Sequence, residues 1–338
     1  MKKFLLILLA FFGIPLLLLL GLYLWTDPFR TLHAFDINNV NSVNREYVST
    51  ELYLRNKDTY HYNAFVFGSS QASGLNTYTW KMYLPESAST FLFQGWSDEI
   101  VGVKEKLEWL DANGANIKYA LILMDMPGFF DMAALESHSP LAMHHYALHK
   151  QPKWQYHAWE YINYIQKPSE WINFTKIHIK GTEAPLATDP ITNDWLLENA
   201  ENYKEIPKQD SLSQCSEQTR RTFFLLNSNV SEKDVKMAST MIDDSFMPTL
   251  QAVKSIFDKQ NTDYYVIITP VYRYTHPYIN TQDLKKLQEV FGAERVYDFS
   301  GRKEYTSDYN DFFDPVHFGT RLGWYMLREI YTGERKPE

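Results

Sequence analysis

The sequence contains very little cysteine and no excess of positive charge. Cys215 is the single cysteine among 338 residues, so the chain cannot form an internal disulfide and has to be stabilised by packing. There are 33 basic against 41 acidic residues, the formal net charge is −8, and no basic cluster is longer than a few residues. Since nucleic-acid binding needs such clusters to neutralise phosphates, nucleic acid is excluded as the expected partner.

Glycine and proline are also sparse. The chain has 14 glycines and 15 prolines, with no low-complexity run and no internal repeat, which excludes a fibrous or disordered protein. The 45% of apolar residues is enough for a substantial core. The length fits one large domain with insertions, or two small domains.

One long apolar run stands at the N-terminus. Lys2 and Lys3 precede an uncharged stretch over residues 4–25, which exceeds the roughly 20 residues that a helix needs to span a bilayer. A cleaved signal peptide is the alternative, but its apolar region is usually about 7–15 residues long and ends at a small-residue cleavage site, which this segment lacks. We therefore predict a single-pass membrane anchor over residues 1–26.

The flanks of this segment predict its orientation. The two lysines favour a cytoplasmic N-terminus, and Tyr23 and Trp25 stand where an aromatic belt meets the lipid headgroups. Residues 27–338 are then expected to form an extracytoplasmic domain, either periplasmic or extracellular.

Beyond the anchor, short apolar runs alternate with helical periodicity, which predicts an α/β fold with parallel strands joined by crossover helices. The expected strands cover residues 62–67, 90–93, 119–124, 264–269 and 295–299, and the expected helices cover residues 99–113, 237–259, 283–291 and 320–331. Residues 131–235 fit this pattern poorly and are interpreted as a helical insertion.

Ligands of open parallel sheets bind at the carboxyl ends of the strands, so the residues that follow each strand are candidates for a site. Gly68-Ser69-Ser70 follows the first strand, Gly95 follows the second, and Asp125 follows the third. Asp314-Pro315-Val316-His317 comes just before the last helix. The order serine, aspartate, histidine indicates acyl-transfer chemistry.

A serine hydroxyl needs a histidine as base and a carboxylate that orients the imidazole. An aspartate three residues before a histidine can supply both groups from one loop, which favours Asp314 and His317. Other interpretations remain open. Ser69 and Ser70 could form a helix-capping turn, and His317 could be a buried structural histidine. Asp308 and Asp311 lie nearby, and either could replace Asp314 as the carboxylate that orients the imidazole.

These motifs resemble those of a known family. Gly68-Ser69-Ser70 resembles the first block of the SGNH (GDSL-type) hydrolases, and Asp314 to His317 resembles their terminal Asp-x-x-His block. Within that superfamily the chain is most similar to the DltD-like proteins of teichoic-acid D-alanylation and of cell-surface polysaccharide O-acylation. They also have an N-terminal membrane helix and a glycine-tryptophan pair after the histidine, here Gly323-Trp324.

The resemblance implies a flavodoxin-like parallel sheet with helices on both faces. It implies Ser70 as the nucleophile, His317 as the base and Asp314 as the residue that orients it. The expected acceptor is a cell-surface glycan or a teichoic-acid-type polymer, and a multispanning membrane O-acyltransferase is the implied partner. No cofactor and no metal are expected.

The chain departs from the family pattern after the third strand. Many SGNH hydrolases have an asparagine there, in a Gly-x-Asn-Asp block, which donates to the oxyanion, whereas this chain has Asp125-Met126-Pro127-Gly128. A carboxylate cannot donate unless it is protonated. The expected oxyanion donors are therefore the backbone N–H groups of Ser70 and Gly95.

The central insertion is rich in histidine and aromatic residues. His145 and His149 are four residues apart and could share a helix face as metal ligands do, but no third ligand stands at a convincing spacing. The aromatic residues recur at helical spacing, which favours packing; otherwise they would face a glycan, the membrane surface or a membrane partner.

Three functions follow from these observations. The first is an anchored serine acyltransferase or esterase that acts on a cell-envelope polymer. The second is a non-catalytic polysaccharide-binding or assembly protein with the same fold, and the third is a general extracytoplasmic esterase or lipase.

Overall fold

The computed structural model describes residues 2–29, 31–32, 44–96, 98–125, 143–166, 188–195, 237–272, 278–314 and 316–337, with single positions between 172 and 179. The side chains at positions 5, 6, 9 and 309 are outside that description. The chain divides into two compact units. One comprises residues 1–48 and 138–186, and the other comprises residues 49–137 and 187–338.

The helices and strands in chain order are α1 (Lys2–Thr26), α2 (Arg45–Tyr60), β1 (Ala64–Gly68), α3 (Thr77–Lys81), β2 (Thr90–Gln94), α4 (Ile100–Ala112), β3 (Tyr119–Met124), α5 (Lys153–Ile165), α6 (Met247–Gln260), β4 (Asp263–Ile268), α7 (Thr281–Phe291), β5 (Val296–Asp298), α8 (Lys303–Thr306) and α9 (Thr320–Thr332). Short 3₁₀ turns cover Ser70–Gly74, Ala293–Arg295 and Tyr309–Asp311.

The second unit is built on a parallel sheet. The described strands form one five-stranded sheet in the order β2-β1-β3-β4-β5, and every neighbouring pair is parallel. This order is flavodoxin-like, and it confirms the α/β parallel sheet that the sequence predicts. The chain reverses its direction of progress between β1 and β3, so their carboxyl ends form the crevice in which such folds bind ligands.

The strands are apolar on both faces because helices flank the sheet. All five residues of β1 and of β2 are buried, and five of the six residues of β3 are buried. Continuous burial of this kind is typical of parallel strands with covered faces. The packing of these strands fixes the positions of their carboxyl ends, which form the rim of the sheet that carries the candidate site.

The helix predicted over residues 237–259 is wrong in its first part. Helix α6 begins at Met247, with a proline in its first turn, where the missing N–H of Pro248 costs nothing. The segment before Met247 is attached to the first turn of α7 instead. The buried carboxylate of Asp283 accepts hydrogen bonds from the N–H of Met241 at 2.8 Å and of Ile242 at 3.2 Å.

The predicted insertion over residues 131–235 is divided between the two compact units. Residues 138–186 group with residues 1–48, whereas residues 188–195 belong to the sheet unit. There the N–H of Leu92 in β2 donates to the carbonyl of Thr192 at 2.9 Å, and the Asn193 amide donates to the carbonyl of Leu92 at 2.7 Å. This segment therefore covers the outer edge of β2, which would otherwise present unpaired groups. Residues 196–236 lie outside the described residues.

The first unit contains α1 and α5. Tyr23, Phe29 and Tyr164 form a buried aromatic cluster between them, and the Tyr161 hydroxyl donates to the carbonyl of Leu16 at 2.6 Å. Within the described residues, no helix combines the length and the hydropathy that crossing a membrane requires. The anchor over residues 1–26 stays a prediction.

Candidate active site

The glycine that precedes the two serines lies close against the backbone of β3. Gly68 has φ +149°, a conformation that side chains rarely adopt, and a Cβ atom there would stand 2.8 Å from the carbonyl oxygen of Leu123. Glycine is therefore required at the end of β1. The chain leaves the sheet at this residue and turns directly into the 3₁₀ segment that begins at Ser70.

The two adjacent serines have different roles in the structure. Ser69 is buried and caps the 3₁₀ turn, since its hydroxyl accepts a hydrogen bond from the N–H of Gln71 at 3.3 Å. The Oγ of Ser70 lies 2.8 Å from Nε2 of His317, a residue 247 positions away in the chain. The capping interpretation thus applies to Ser69, and Ser70 is the hydroxyl that reaches the histidine.

Asp314 and His317 lie in a loop whose two ends pair with each other through the backbone. Phe312 and Phe318 pair as an antiparallel bridge, and both rings are buried in the core. The N–H of Phe313 donates to the carbonyl of His317 at 2.8 Å, and the N–H of Gly319 donates to that of Asp311 at 2.7 Å. The aromatic residues on either side of the motif thereby hold the loop against the sheet unit.

Asp314 and His317 interact as the spacing predicts. Oδ2 of Asp314 lies 2.7 Å from Nδ1 of His317, and its Oδ1 accepts from the backbone N–H groups of Val316 at 2.8 Å and His317 at 2.9 Å. An ionised carboxylate only accepts, so Nδ1 carries the proton and Nε2 presents a lone pair to Ser70. Burial opposes ionisation, but the His317 ring and these N–H groups outweigh it and hold the pKa of Asp314 below its usual value.

The two alternative aspartates have another partner. The guanidinium of Arg321 donates to Oδ1 of Asp311 at 2.7 Å and to Oδ2 of Asp308 at 2.9 Å. Lys336 adds an ion pair with Asp311 at 3.0 Å. Both carboxylates therefore belong to an ionic cluster at the start of α9, and neither of them orients His317.

The two predicted oxyanion donors differ. The N–H of Ser70 stands at the start of the 3₁₀ turn, and no described group accepts its hydrogen bond. The N–H of Gly95 donates to the carbonyl of Gly68 at 3.2 Å. The expectation for Gly95 does not agree with this geometry, because the register that pairs Gly68 with Gln94 uses the next N–H as a further rung of the ladder.

Asp125 lies at the same rim, where β3 ends. The side chains of Ser69 and His317 both act on its carboxyl group, so Asp125 lies close to the serine turn and to the histidine. Burial raises the pKa of the Asp125 carboxyl, an effect that a hydrogen bond from Ser69 and the nearby His317 ring partly offset. Its Oδ1 is buried and has no hydrogen-bond partner among the described residues.

A polar link that the sequence did not reveal braces the 3₁₀ turn that begins at Ser70. The Thr269 hydroxyl, just past β4, donates to Oε1 of Gln71 at 2.5 Å, and the Thr269 N–H donates to the carbonyl of Met124 at 3.1 Å. The residue after Ser70 is thereby tied to the ends of β3 and β4. A threonine directly after a buried strand is the only signal the sequence offered for this link.

The histidines of the central segment do not share a helix face. His145 is fully buried and its Nδ1 accepts from the N–H of Ala147 at 3.1 Å, and residues 146–150 form turns. Cys215 and Met126 lie outside the described residues, as does Arg273 beyond β4.

Comparison of the chain with protein-family models and with curated proteins finds no match in either case. The arrangement of Ser70, His317 and Asp314 therefore has to carry the functional argument.

Proposed function

We propose that the chain is a membrane-anchored serine acyltransferase or esterase that takes part in O-acylation, acetyl or D-alanyl, of a cell-envelope polysaccharide or teichoic-acid-type polymer. The observation that carries the proposal is the continuous hydrogen-bonded chain from Ser70 Oγ through both nitrogens of His317 to the carboxylate of Asp314. A capping serine and a structural histidine would not require this alignment.

The proposed reaction has two halves, and Ser70, His317 and Asp314 take part in both. Ser70 Oγ attacks the carbonyl carbon of an acyl donor while Nε2 of His317 takes the hydroxyl proton, and Asp314 stabilises the imidazolium that forms. The proton then passes to the leaving group as its bond to the acyl carbon breaks. In the second half, His317 deprotonates an acceptor hydroxyl, or water, which attacks the acyl-serine ester; the bond from the acyl carbon to Ser70 Oγ breaks, and His317 returns the proton to Oγ.

The openness of the site supports a bulky acceptor. The side chain of His317 is 31% exposed and that of Asp314 is 38% exposed, so the triad stands at the surface of the sheet unit. A polymer can approach such a site along its length, whereas small-ester enzymes enclose most of their substrate.

The family likeness supports the same function. The Gly-Ser-Ser and Asp-x-x-His blocks, in the SGNH-type arrangement and closest to that of DltD-like proteins, supply the three triad residues on a flavodoxin-like sheet. With this likeness we also propose that residues 1–26 anchor the chain in the cell membrane, with the N-terminus cytoplasmic and the site extracytoplasmic. A multispanning membrane O-acyltransferase would deliver the acyl group, and the cell-surface polymer would accept it.

The proposal is tested in host cells in which the Ser70→Ala variant replaces the wild-type chain. Ester-linked acyl groups are then released from the purified envelope polymer with mild alkali and quantified. We expect loss of these groups at unchanged protein level, while Ser255→Ala, an exposed serine on α6 that donates to the carbonyl of Gln251, keeps them.

The same experiment separates the competing function. The engagement of the Gly95 N–H leaves few oxyanion donors, which favours a non-catalytic polysaccharide-binding or assembly protein as the second candidate. If deletion of the chain abolishes acylation but Ser70→Ala leaves it intact, the chain assists the reaction without catalysing it, and the proposed function is wrong.

Asp125 gives a prediction about rate. Replacement by asparagine puts an uncharged amide donor at the rim of the sheet near Ser69 and His317, and one oxyanion donor is worth about 10²–10³ in rate. We expect Asp125→Asn to hydrolyse p-nitrophenyl acetate at least about tenfold faster than the wild type. Asp125→Ala removes the charge without adding a donor, and equal acceleration by both variants would contradict a role for the donor.

A further inference from the structure

The polarity of helix α5 is the reverse of that of a helix on a water-soluble surface. Its buried positions are Tyr156, Glu160 and Tyr164, which recur every four residues. Its exposed residues include Trp154, Trp159 and Ile162, which are 71%, 43% and 37% exposed. A helix at an aqueous surface turns its apolar stripe inwards and its charges outwards, so α5 is matched to an apolar environment outside the protein.

The buried face of α5 is organised around one carboxylate. Oε2 of Glu160 accepts hydrogen bonds from the hydroxyls of Tyr23 at 3.2 Å and Thr31 at 2.7 Å, and lies 2.8 Å from Nδ1 of His157. Glu160 is the only acidic residue of α5. Ionisable groups of membrane-embedded helices likewise face the protein interior and pair there.

The exposed face of α5 lies next to a second exposed apolar surface. Helix α5 packs on α1 through the Tyr23 and Tyr164 rings, and the Tyr161 hydroxyl reaches the carbonyl of Leu16 in the second half of α1. The outward side chains of α1 are almost all apolar, and its large exposed ones are Phe4, Ile7, Leu8, Phe11, Phe12, Ile14, Leu16, Leu17, Leu18, Leu24 and Trp25. The two helices thus present neighbouring apolar faces within one unit.

Positive charge stands at one end of this surface. Lys150 and Lys153 are exposed, and they stand four residues and one residue before Trp154 at the start of α5. Tryptophan and lysine at the end of an apolar face are suited to the headgroup layer, where the indole spans the boundary and the ammonium group meets anionic phosphates. This charge complementarity favours a lipid surface over an apolar protein groove.

We propose that the exposed face of α5, formed by Trp154, Ala158, Trp159 and Ile162, lies against the headgroup-hydrocarbon boundary of a lipid bilayer beside α1. The chain would then contact the membrane through two helices. The second contact fixes the rotation of α1 relative to the bilayer surface, which a single helix cannot do. This inference rests on the membrane anchor proposed above for residues 1–26, and it does not depend on the chemistry of Ser70.

The test uses spin labels on the full chain in nanodiscs of phosphatidylcholine and phosphatidylglycerol. Cys215→Ser removes the native thiol, and Ala158→Cys places one label on the exposed face of α5. Two matched labels provide the scale: Leu17→Cys on the exposed side of α1, and Lys285→Cys on the exposed side of α7. Relaxation by oxygen, which partitions into lipid, is compared with relaxation by a water-soluble nickel chelate.

We expect the label at position 158 to be relaxed more by oxygen than by the nickel chelate, as at position 17, and opposite to position 285. Relaxation dominated by nickel at position 158 would show that this face is in water and would overturn the proposal. Immobilisation with little relaxation by either reagent would show that a protein surface, such as a second copy of the chain, covers α5, and would overturn it as well.

Discussion

We expect Ser70→Ala to abolish covalent labelling by a fluorophosphonate probe and to lower turnover of an activated ester by about 10⁴-fold or more. The reason is that Ser70 Oγ is the hydroxyl within reach of the His317 base, at 2.8 Å. We expect His317→Ala to cause a loss of similar size because an unactivated hydroxyl is a poor nucleophile. Asp314→Asn should cost about 10⁴-fold, since an amide favours the wrong imidazole tautomer.

The most informative measurement is whether the losses in rate caused by the two single substitutions multiply in the double variant. Residues that act as one unit are strongly non-additive, so the double variant Ser70→Ala with His317→Ala should be no slower than either single variant. Labelling rate and ester turnover, measured on chains with matched thermal stability, give both numbers. Multiplicative losses in the double variant would mean that the two residues act separately, and the proposed triad would be wrong.

Two neighbouring substitutions serve as controls. Ser69→Ala removes the cap of the nucleophile turn, which costs about 1 kcal/mol of stability, but leaves the Ser70 hydroxyl in place. Asp308→Asn weakens only the ion pair with Arg321. Both variants should keep labelling close to that of the wild type. If Ser69→Ala abolished labelling while Ser70→Ala retained it, the nucleophile would have been assigned to the wrong serine.

The parts of the site that the sequence could predict are those governed by local spacing or by strand ends. An aspartate three residues before a histidine can reach its ring within one turn, and Asp314 and His317 do so at 2.7 Å. The carboxyl ends of parallel strands share one rim, so the segments that follow β1 and β3, with Ser70 and Asp125, start from the same edge of the sheet once the two strands are known to be neighbours.

The parts that the sequence could not predict depend on register and on long-range contacts. The strand ends predicted from composition do not say which N–H groups continue the ladder, and for that reason Gly95 was expected to be a free donor although Gly68 accepts its hydrogen bond. Likewise, residues 188–195 contain no strand pattern, and their place at the edge of β2 depends on the Asn193 and Thr192 contacts with Leu92.

Two glycines leave the space in which the turn of Ser70 and the loop of His317 meet, although these segments are almost 250 residues apart in the chain. A Cβ atom at Gly74, which ends the turn of Ser70, would collide with the carbonyl and the ring of Phe318, the residue after His317. A Cβ atom at Gly323 in α9 would collide with the carbonyl of Gly74. The turn of Ser70, the loop of His317 and helix α9 are therefore in direct backbone contact.

This contact predicts that Gly323→Ala destabilises the chain, against the preference of the helix. Alanine in place of glycine inside a helix is favourable by about 1 kcal/mol. The collision is with a backbone carbonyl that cannot rotate away, and overpacking of this kind costs about 3 kcal/mol. We expect a net loss of about 2 kcal/mol in the free energy of unfolding in denaturant titrations. Thr332→Ala, at the exposed end of the same helix, should change it little.

The same substitution should reach the chemistry through the contact rather than through lost folding. Where Gly323→Ala remains folded, displacement of Gly74 moves Ser70 away from His317, and a misplacement of about 1 Å costs about 10²-fold in rate. We therefore expect fluorophosphonate labelling to slow by about that factor at a temperature where the variant is fully folded. A variant as stable and as reactive as the wild type would show that the collision relaxes without moving the turn, and that the glycine pair does not position the nucleophile.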